Sequence, residues 1–258
     1  MSLFISFEGG EGSGKSTQAE ILLRRLQQAG MKSALVYEPG TTPLGIYLRD
    51  WLKRERNEGE GASLVAELFL FEAARAELAA KVIKPMLDSG DSVVISDRFA
   101  DSTAAYQGYG MRLDLEAIAL LNKLATQGTV PDLTFLLDCS PEEGLKRVGT
   151  AQIDLPIEAS DSGGATRLDP VGTRRFEEES LDFHRRVRAG YRTLAEREPD
   201  RWWVLDATSP VEEISDSVWK QVEQTLPRYT GGSSPGGQPG SPLWSGGVGP
   251  HSAADSLQ

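Results

Sequence analysis

The chain carries a single cysteine, Cys139, and two histidines, His184 and His251. One thiol excludes an internal disulfide and any zinc site built on cysteines. Cys139 follows the apolar run Leu133–Asp138 and reads as a small packed hydrophobe. His184 lies on a helical face and His251 in the C-terminal stretch, so neither points to acid–base chemistry. No uninterrupted apolar run approaches the ~18 residues of a membrane span, and no cationic leader precedes the first strand. The expectation is a cytoplasmic chain that does not cross a membrane. Basic residues are also scarce. Against 38 Asp and Glu there are 27 Lys and Arg, a net charge of −11 with no basic stripe, which argues against a general nucleic-acid surface. An acidic chain that handles anions must gather its cations locally, so each arginine near a loop counts.

What is present begins with Gly9-Gly10-Glu11-Gly12-Ser13-Gly14-Lys15-Ser16, the G-x-x-x-x-G-K-[ST] pattern. Glycines let the backbone turn tightly enough for several N–H groups to face one anion, and a helix starting there adds its positive end. Lys15 supplies a mobile charge for outer phosphates, and the Ser16 hydroxyl is placed to ligate Mg²⁺. The flanks agree: residues 3–7 are a short β-prone run, and residues 15–29 carry Ile21, Leu22, Leu26 and Ala29 at helical spacing before Gly30 as a stop.

The 258-residue chain, 39% hydrophobic as a whole, alternates strands with helices, the pattern of a parallel sheet wrapped by helices. Residues 33–37 read as a strand ending in Glu38-Pro39-Gly40-Thr41, which serves either as a ligand edge or as a plain connector. Residues 44–52 read as a helix and residues 63–87 as one long helix packing Leu64, Leu68, Phe71 and Leu78; Phe71 and Arg75 stand four apart on one face, a spacing that also suits packing plus a solvated charge. Residues 92–97 form an apolar run ending in Asp97, placed to hold a metal, with Arg98 beside it to grip a phosphate. Ser102, Thr103, Tyr106 and Gln107 follow, polar groups suited to a ligand's edge. Helices are expected over 113–125, 141–147, 176–198 and 211–226, with Thr208-Ser209-Pro210 as a cap. Residues 148–174 read as a long loop, able to close as a lid with Arg167, Arg174 or Arg175 reaching phosphates. From residue 227 the Gly, Ser and Pro content predicts a disordered tail.

In order, the phosphate loop, Glu38-Pro39-Gly40-Thr41, Phe71-Glu72-Ala73-Ala74-Arg75, Asp97-Arg98-Phe99, Tyr106-Gln107-Gly108, Pro131-Asp132-Leu133, Gly144-Leu145-Lys146-Arg147, Arg175-Phe176-Glu177 and Asp206-Ala207-Thr208 resemble the bacterial type of thymidylate kinase. The likeness covers roughly residues 3–226. It implies a three-layer α/β fold of the P-loop kinase type, a five-stranded parallel sheet flanked by helices in one domain over 1–226, with a mobile lid at about 148–175. It implies phosphorylation of dTMP by ATP with Mg²⁺, usually in a homodimer.

Position by position, the resemblance gives ATP the loop Gly9, Gly10, Glu11, Gly12, Ser13, Gly14, Lys15, Ser16 and Thr17, with Arg147 and Ala207 flanking the adenine. Phe71 would stack on thymine, Arg75 reach a thymine carbonyl and Thr103 face the base edge, with Gln107 nearby. Tyr106 would crowd the sugar's 2′ position, Glu11 lie by the 3′-hydroxyl and phosphate, and Arg98 hold that phosphate. Ser16 and Asp97 would serve the metal. Lys15, Arg98, Glu11 and a lid arginine would carry catalysis; Arg175 is assigned because it precedes Phe176-Glu177 as the family's arginine does. Tyr37 and Thr41 stand where the family usually has Arg and Gly, and no arginine lies within the phosphate loop or in residues 148–151.

Two other readings stay open. A kinase of another pyrimidine nucleoside monophosphate is opposed only by Phe71, Arg75, Thr103 and Tyr106. A nucleotide-dependent switch ATPase would carry a D-x-x-G, where this chain has Asp97-Arg98-Phe99-Ala100, and an N-K-x-D, where Asn122-Lys123-Leu124-Ala125 lacks the aspartate.

Overall fold

In the computed structural model, residues 2–54, 62–151 and 179–226 are described. Their centre is a five-stranded, wholly parallel sheet of β1 (Leu3–Glu8), β2 (Lys32–Tyr37), β3 (Ser92–Asp97), β4 (Leu133–Asp138) and β5 (Trp202–Asp206), ordered β2-β3-β1-β4-β5. β1 lies in the middle, pairing Phe7 with Asp97 on one side and with Phe135 on the other. Every side chain of β1 and β3 is buried, as expected of parallel strands covered on both faces.

Alternate residues serve opposite layers. Leu3, Ile5 and Phe7 pack with Leu22 and Leu26 of α1 (Lys15–Gln28) and with Ile214, Val218 and Val222 of α9 (Val211–Thr225). Phe4, Val94 and Val36 face Leu78, Ile83 and Phe99 on the other side. Around this sheet stand α2 (Pro43–Arg54), α3 (Leu64–Leu78), α4 (Lys84–Asp88), α5 (Ala100–Thr103), α6 (Leu115–Ala125), α7 (Pro141–Ala151) and α8 (Leu181–Arg197).

Several boundaries differ from the sequence reading. The single helix expected over 63–87 is α3, one widened π stretch (Ala79–Ile83) and α4. Pro85 has no N–H to give to the preceding turn and its ring crowds the carbonyl there, which the wider turn relieves. Leu64, assigned to packing, is exposed. Residues 101–108 form α5 and a second π stretch, Ala104–Gly110. α7 runs on to Ala151, so the first residues of the expected loop are helical. α6 starts two residues late because Asp114 accepts from the N–H groups of Glu116 and Ala117. The cap read at Thr208-Ser209-Pro210 is not made by a side chain: Thr208 donates to Asp206 instead, at 2.7 Å. α8 starts at Leu181, capped by Ser180, and the earlier part of that expected helix falls outside the described residues. So do most of the expected lid, with Arg167, Arg174 and Arg175, and the tail with His251.

Candidate active site

The carboxyl ends of β1, β3 and β4 meet at the loop that joins β1 to α1. Gly9 sits at φ 143°, where an added Cβ would lie 2.6 Å from the Leu137 carbonyl oxygen, so only glycine allows the loop to lean on β4. Gly12 is tighter still: its Cβ would lie 2.1 Å from the carbonyl oxygen of Gly144 in α7.

Inside this loop Lys15 is buried, donating to the Gly10 carbonyl at 2.7 Å and to Ser13 Oγ at 3.3 Å. Burial, helped by the neighbouring Arg98 cation, lowers its pKa to about 8. At the head of α1 Ser16 donates to the Asp97 carboxylate, while Thr17 stands exposed.

Arg98 follows β3 directly and adopts a left-handed backbone at φ 69°. Its guanidinium donates to the Gly9 carbonyl at 3.2 Å, Glu11 at 2.9 Å and the Tyr106 hydroxyl at 3.1 Å, with its carbon 4.9 Å from the Tyr106 ring centre. Tyr106 in turn donates to Glu11 at 2.7 Å. Lys15, Arg98, Glu11 and Tyr106, from three separate stretches, therefore converge on one loop.

Behind them lies a second cluster. Arg75 is 1% exposed. It donates to the Glu38 carboxylate, to Thr103 and Glu72 at 2.8 Å each, and to Asn122 at 2.5 Å. The charge is therefore buried and paired, unlike the solvated one the spacing also suited. Burial raises the pKa of Glu38 and Glu72, and Arg75 opposes it. Phe71 packs against the buried cluster that contains Tyr106, Phe183 and Tyr191, and Gln107 donates to Glu67 at 3.3 Å. The Glu38 turn, readable as a connector, thus brings a buried carboxylate to Arg75.

A third cluster brings Arg147 to the Ala207 carbonyl at 2.9 Å, joining α7 to the turn after β5. Cys139 is half-buried, donates to Ser140 and has its thiol pushed up by burial.

Four site residues escaped the sequence reading in whole or part. Glu8 ends an apolar run just as Asp97 does, the signal that could have found it. Ser102 was placed only generally at a ligand's edge. Tyr191 sits at helical spacing with apolar Val187 and Leu194, which suits plain packing, yet its hydroxyl donates to Glu8 at 3.0 Å across 183 positions of chain, which no local pattern reveals. Asn122 was weighed only as part of a failed guanine motif and instead tethers Arg75 to the Ala100 carbonyl.

The family model described as Thymidylate kinase matches residues 7–218. This chain belongs to the thymidylate kinase family. It is 44% identical over 228 residues to the thymidylate kinase of Thermomicrobium roseum, covering 88% of this chain and 98% of that one. It is 45% identical over 226 residues to that of Desulfovibrio desulfuricans, covering 88% and 97%. Among solved structures, the thymidylate kinase from Ehrlichia chaffeensis superposes with a TM-score of 0.63 at 31% identity, over 86% of this chain and 98% of that one. As a thymidylate kinase, the chain is an enzyme of nucleotide biosynthesis that phosphorylates dTMP, with ATP as phosphate donor. No helix among the described residues is long and apolar enough to cross a membrane.

The donor set bears on a metal as well. Among the described residues no group of three or more His, Cys, Asp or Glu could hold an ion by itself. One hydroxyl and one carboxylate in contact, Ser16 and Asp97, fit a Mg²⁺ that takes its other ligands from phosphate and water.

Proposed function

We propose that this thymidylate kinase passes the terminal phosphoryl group of ATP directly to the phosphate of dTMP, in line and without a covalent intermediate. The observation that carries this reading is the meeting of two cations on one loop. Lys15 donates to the Gly10 carbonyl and Arg98 to the neighbouring Gly9 carbonyl. Lys15 and the loop amides hold the donor's phosphates, while Arg98 holds the acceptor's, so the two anions face each other across Gly9 and Gly10. Transfer then needs alignment, exclusion of water and cancelled charge more than it needs a nucleophile from the protein. Ser16 and Asp97 would hold Mg²⁺, which would supply positive charge along the phosphates. Arg175, which lies outside the described residues, is the arginine assigned to the transferred group because it precedes Phe176-Glu177.

For the acceptor, Phe71 stacks on the thymine and Arg75 with Thr103 faces its carbonyl edge. Tyr106, tied to both Glu11 and Arg98, crowds the 2′ position and favours deoxyribose. Gln107 closes the floor. For the donor, Arg147 and the Asp206–Thr208 turn flank the adenine. The reading includes a single kinase domain over residues 1–226, a cytoplasmic location and a homodimer. Support for the dimer comes from Val65 and Phe69 of α3 and Leu120 and Leu124 of α6, exposed side chains one turn apart on two helices that pack together.

ADP release measured with dTMP, dUMP, UMP, CMP and AMP tests the assignment. dTMP should turn over fastest, and faster turnover of UMP would defeat it. Lys15→Ala, with its fold verified by circular dichroism, should lose on the order of 10²–10³ in kcat, the scale of one removed transition-state donor. An undiminished rate would remove the phosphate loop from the mechanism.

A further inference from the structure

Glu8 ends β1, is wholly buried, and has no part in the roles assigned above. Its carboxylate oxygens serve two different tasks. Oε1 accepts from the backbone N–H of Phe99 at 2.8 Å and from Ser6 Oγ at 3.0 Å. Oε2 accepts from Ser102 Oγ at 2.6 Å and from the Tyr191 hydroxyl at 3.0 Å. Both sets lead to Arg98.

The Phe99 N–H belongs to the peptide unit that follows Arg98. The carbonyl of that same unit accepts from Ser96 Oγ at 2.6 Å, and the Arg98 N–H donates to Phe7 at 3.0 Å. These bonds hold Arg98 at its φ of 69°, a conformation that residues bearing a Cβ rarely adopt. At the far end of the same residue, guanidinium Nη1 donates to Ser102 Oγ and to the Tyr191 hydroxyl, each at 3.3 Å. A hydroxyl has one proton and accepts through its lone pairs. Ser102 Oγ and the Tyr191 hydroxyl also lie 2.8 Å apart, so each proton goes to Glu8 or to the other hydroxyl, and both oxygens are left facing Arg98 as acceptors.

We propose that Glu8 is a positioning residue for phosphate recognition: through Ser102, Tyr191 and the Phe99 amide it fixes Arg98, backbone and guanidinium together, in the orientation that grips the acceptor's phosphate. The proposal rests on the role given to Arg98 above. All four partners of Glu8 donate to its ionised form, which prevails above a pKa that burial raises to about 7; above that pH a side chain that must itself donate cannot replace it. In Glu8→Gln the amide N–H groups turn toward Ser102 and Tyr191; one hydroxyl proton can pass to the other hydroxyl, 2.8 Å away, and the one left over swings toward Arg98 and repels it. A role in stability alone would weaken all ligands alike.

Calorimetric titration of the full-length chain with dTMP, with thymidine, which lacks the phosphate, and with ATP separates the two. Glu8→Gln should weaken dTMP binding roughly tenfold, the scale of one lost charge-assisted hydrogen bond, and leave thymidine and ATP unchanged. Tyr191→Phe should shift dTMP in the same direction by a smaller factor. In an Arg98→Ala background, Glu8→Gln should have no further effect on dTMP. Equal losses for dTMP and thymidine, or a full further loss in the Arg98→Ala background, overturn the proposal. An unchanged preference for dTMP over thymidine in Arg98→Ala alone removes instead the role of Arg98. If Glu8→Gln does not fold, Tyr191→Phe decides: a loss confined to dTMP supports the proposal, and none overturns it.

Discussion

The lysine of the phosphate loop is a buried ammonium held by one carbonyl and one hydroxyl. Burial and the nearby Arg98 bring its pKa to about 8, well below that of a free lysine. The charged form, which binds the triphosphate, is therefore full below pH 8 and lost as pH climbs through it. Since kcat/KM reports the free enzyme, kcat/KM for ATP should show an alkaline limb near pH 8. A profile flat through that pH would mean that Lys15 keeps its proton by other means. Residue types and spacing made this lysine legible in the sequence. Arg75 was legible only as a choice between a ligand contact and a solvated charge, because its partners Glu38, Thr103 and Asn122 come from distant stretches.

Elements set how close those residues come. The phosphate loop and α7 touch backbone to backbone: a Cβ on Gly144 would lie 2.1 Å from the Glu11 carbonyl oxygen. Neither backbone can bend aside as a flexible side chain would. Gly144→Ala should cost about 1–3 kcal/mol by overpacking. Scanning calorimetry should then find the melting temperature lower by roughly 5 °C, a scale suited to a domain of this size. Since the displaced segment is the phosphate loop, the KM for ATP should rise in parallel. An alanine variant as stable and as tight for ATP as the parent would show that loop and helix part freely. Nothing in the sequence marks this contact, since Gly144 lies mid-helix in an ordinary polar run. The two π stretches escaped for a related reason: widened turns shift side chains around the helix without changing the apolar pattern that announces it.

At the scale of the whole molecule, the exposed ridge of α3 and α6 stands out. Leu120 is 69% and Leu124 74% exposed, and Phe69 of α3 is 54% exposed. A paired Leu120→Lys and Leu124→Lys change places two charges in an interface that must be dry, so the proposed dimer should become a monomer by sedimentation equilibrium. Because α3 also carries Phe71 and Arg75, the KM for dTMP should rise with dissociation. A variant that sediments unchanged would place the interface elsewhere or leave the protein monomeric.

The sequence by itself determined the phosphate loop, the alternation that makes a parallel sheet, and most of the polar groups to which the proposed function gives the nucleotides. Each of these is a local matter, set by the reach of a few peptide units and by strand and helix periodicity. Only the tertiary structure decided that Arg98 meets Ser102 and Tyr191, both bound to Glu8, that Arg75 is buried among two carboxylates, and that α7 presses on the loop. Those outcomes depend on side chains brought together across tens to hundreds of positions, by a packing that residue order encodes without displaying.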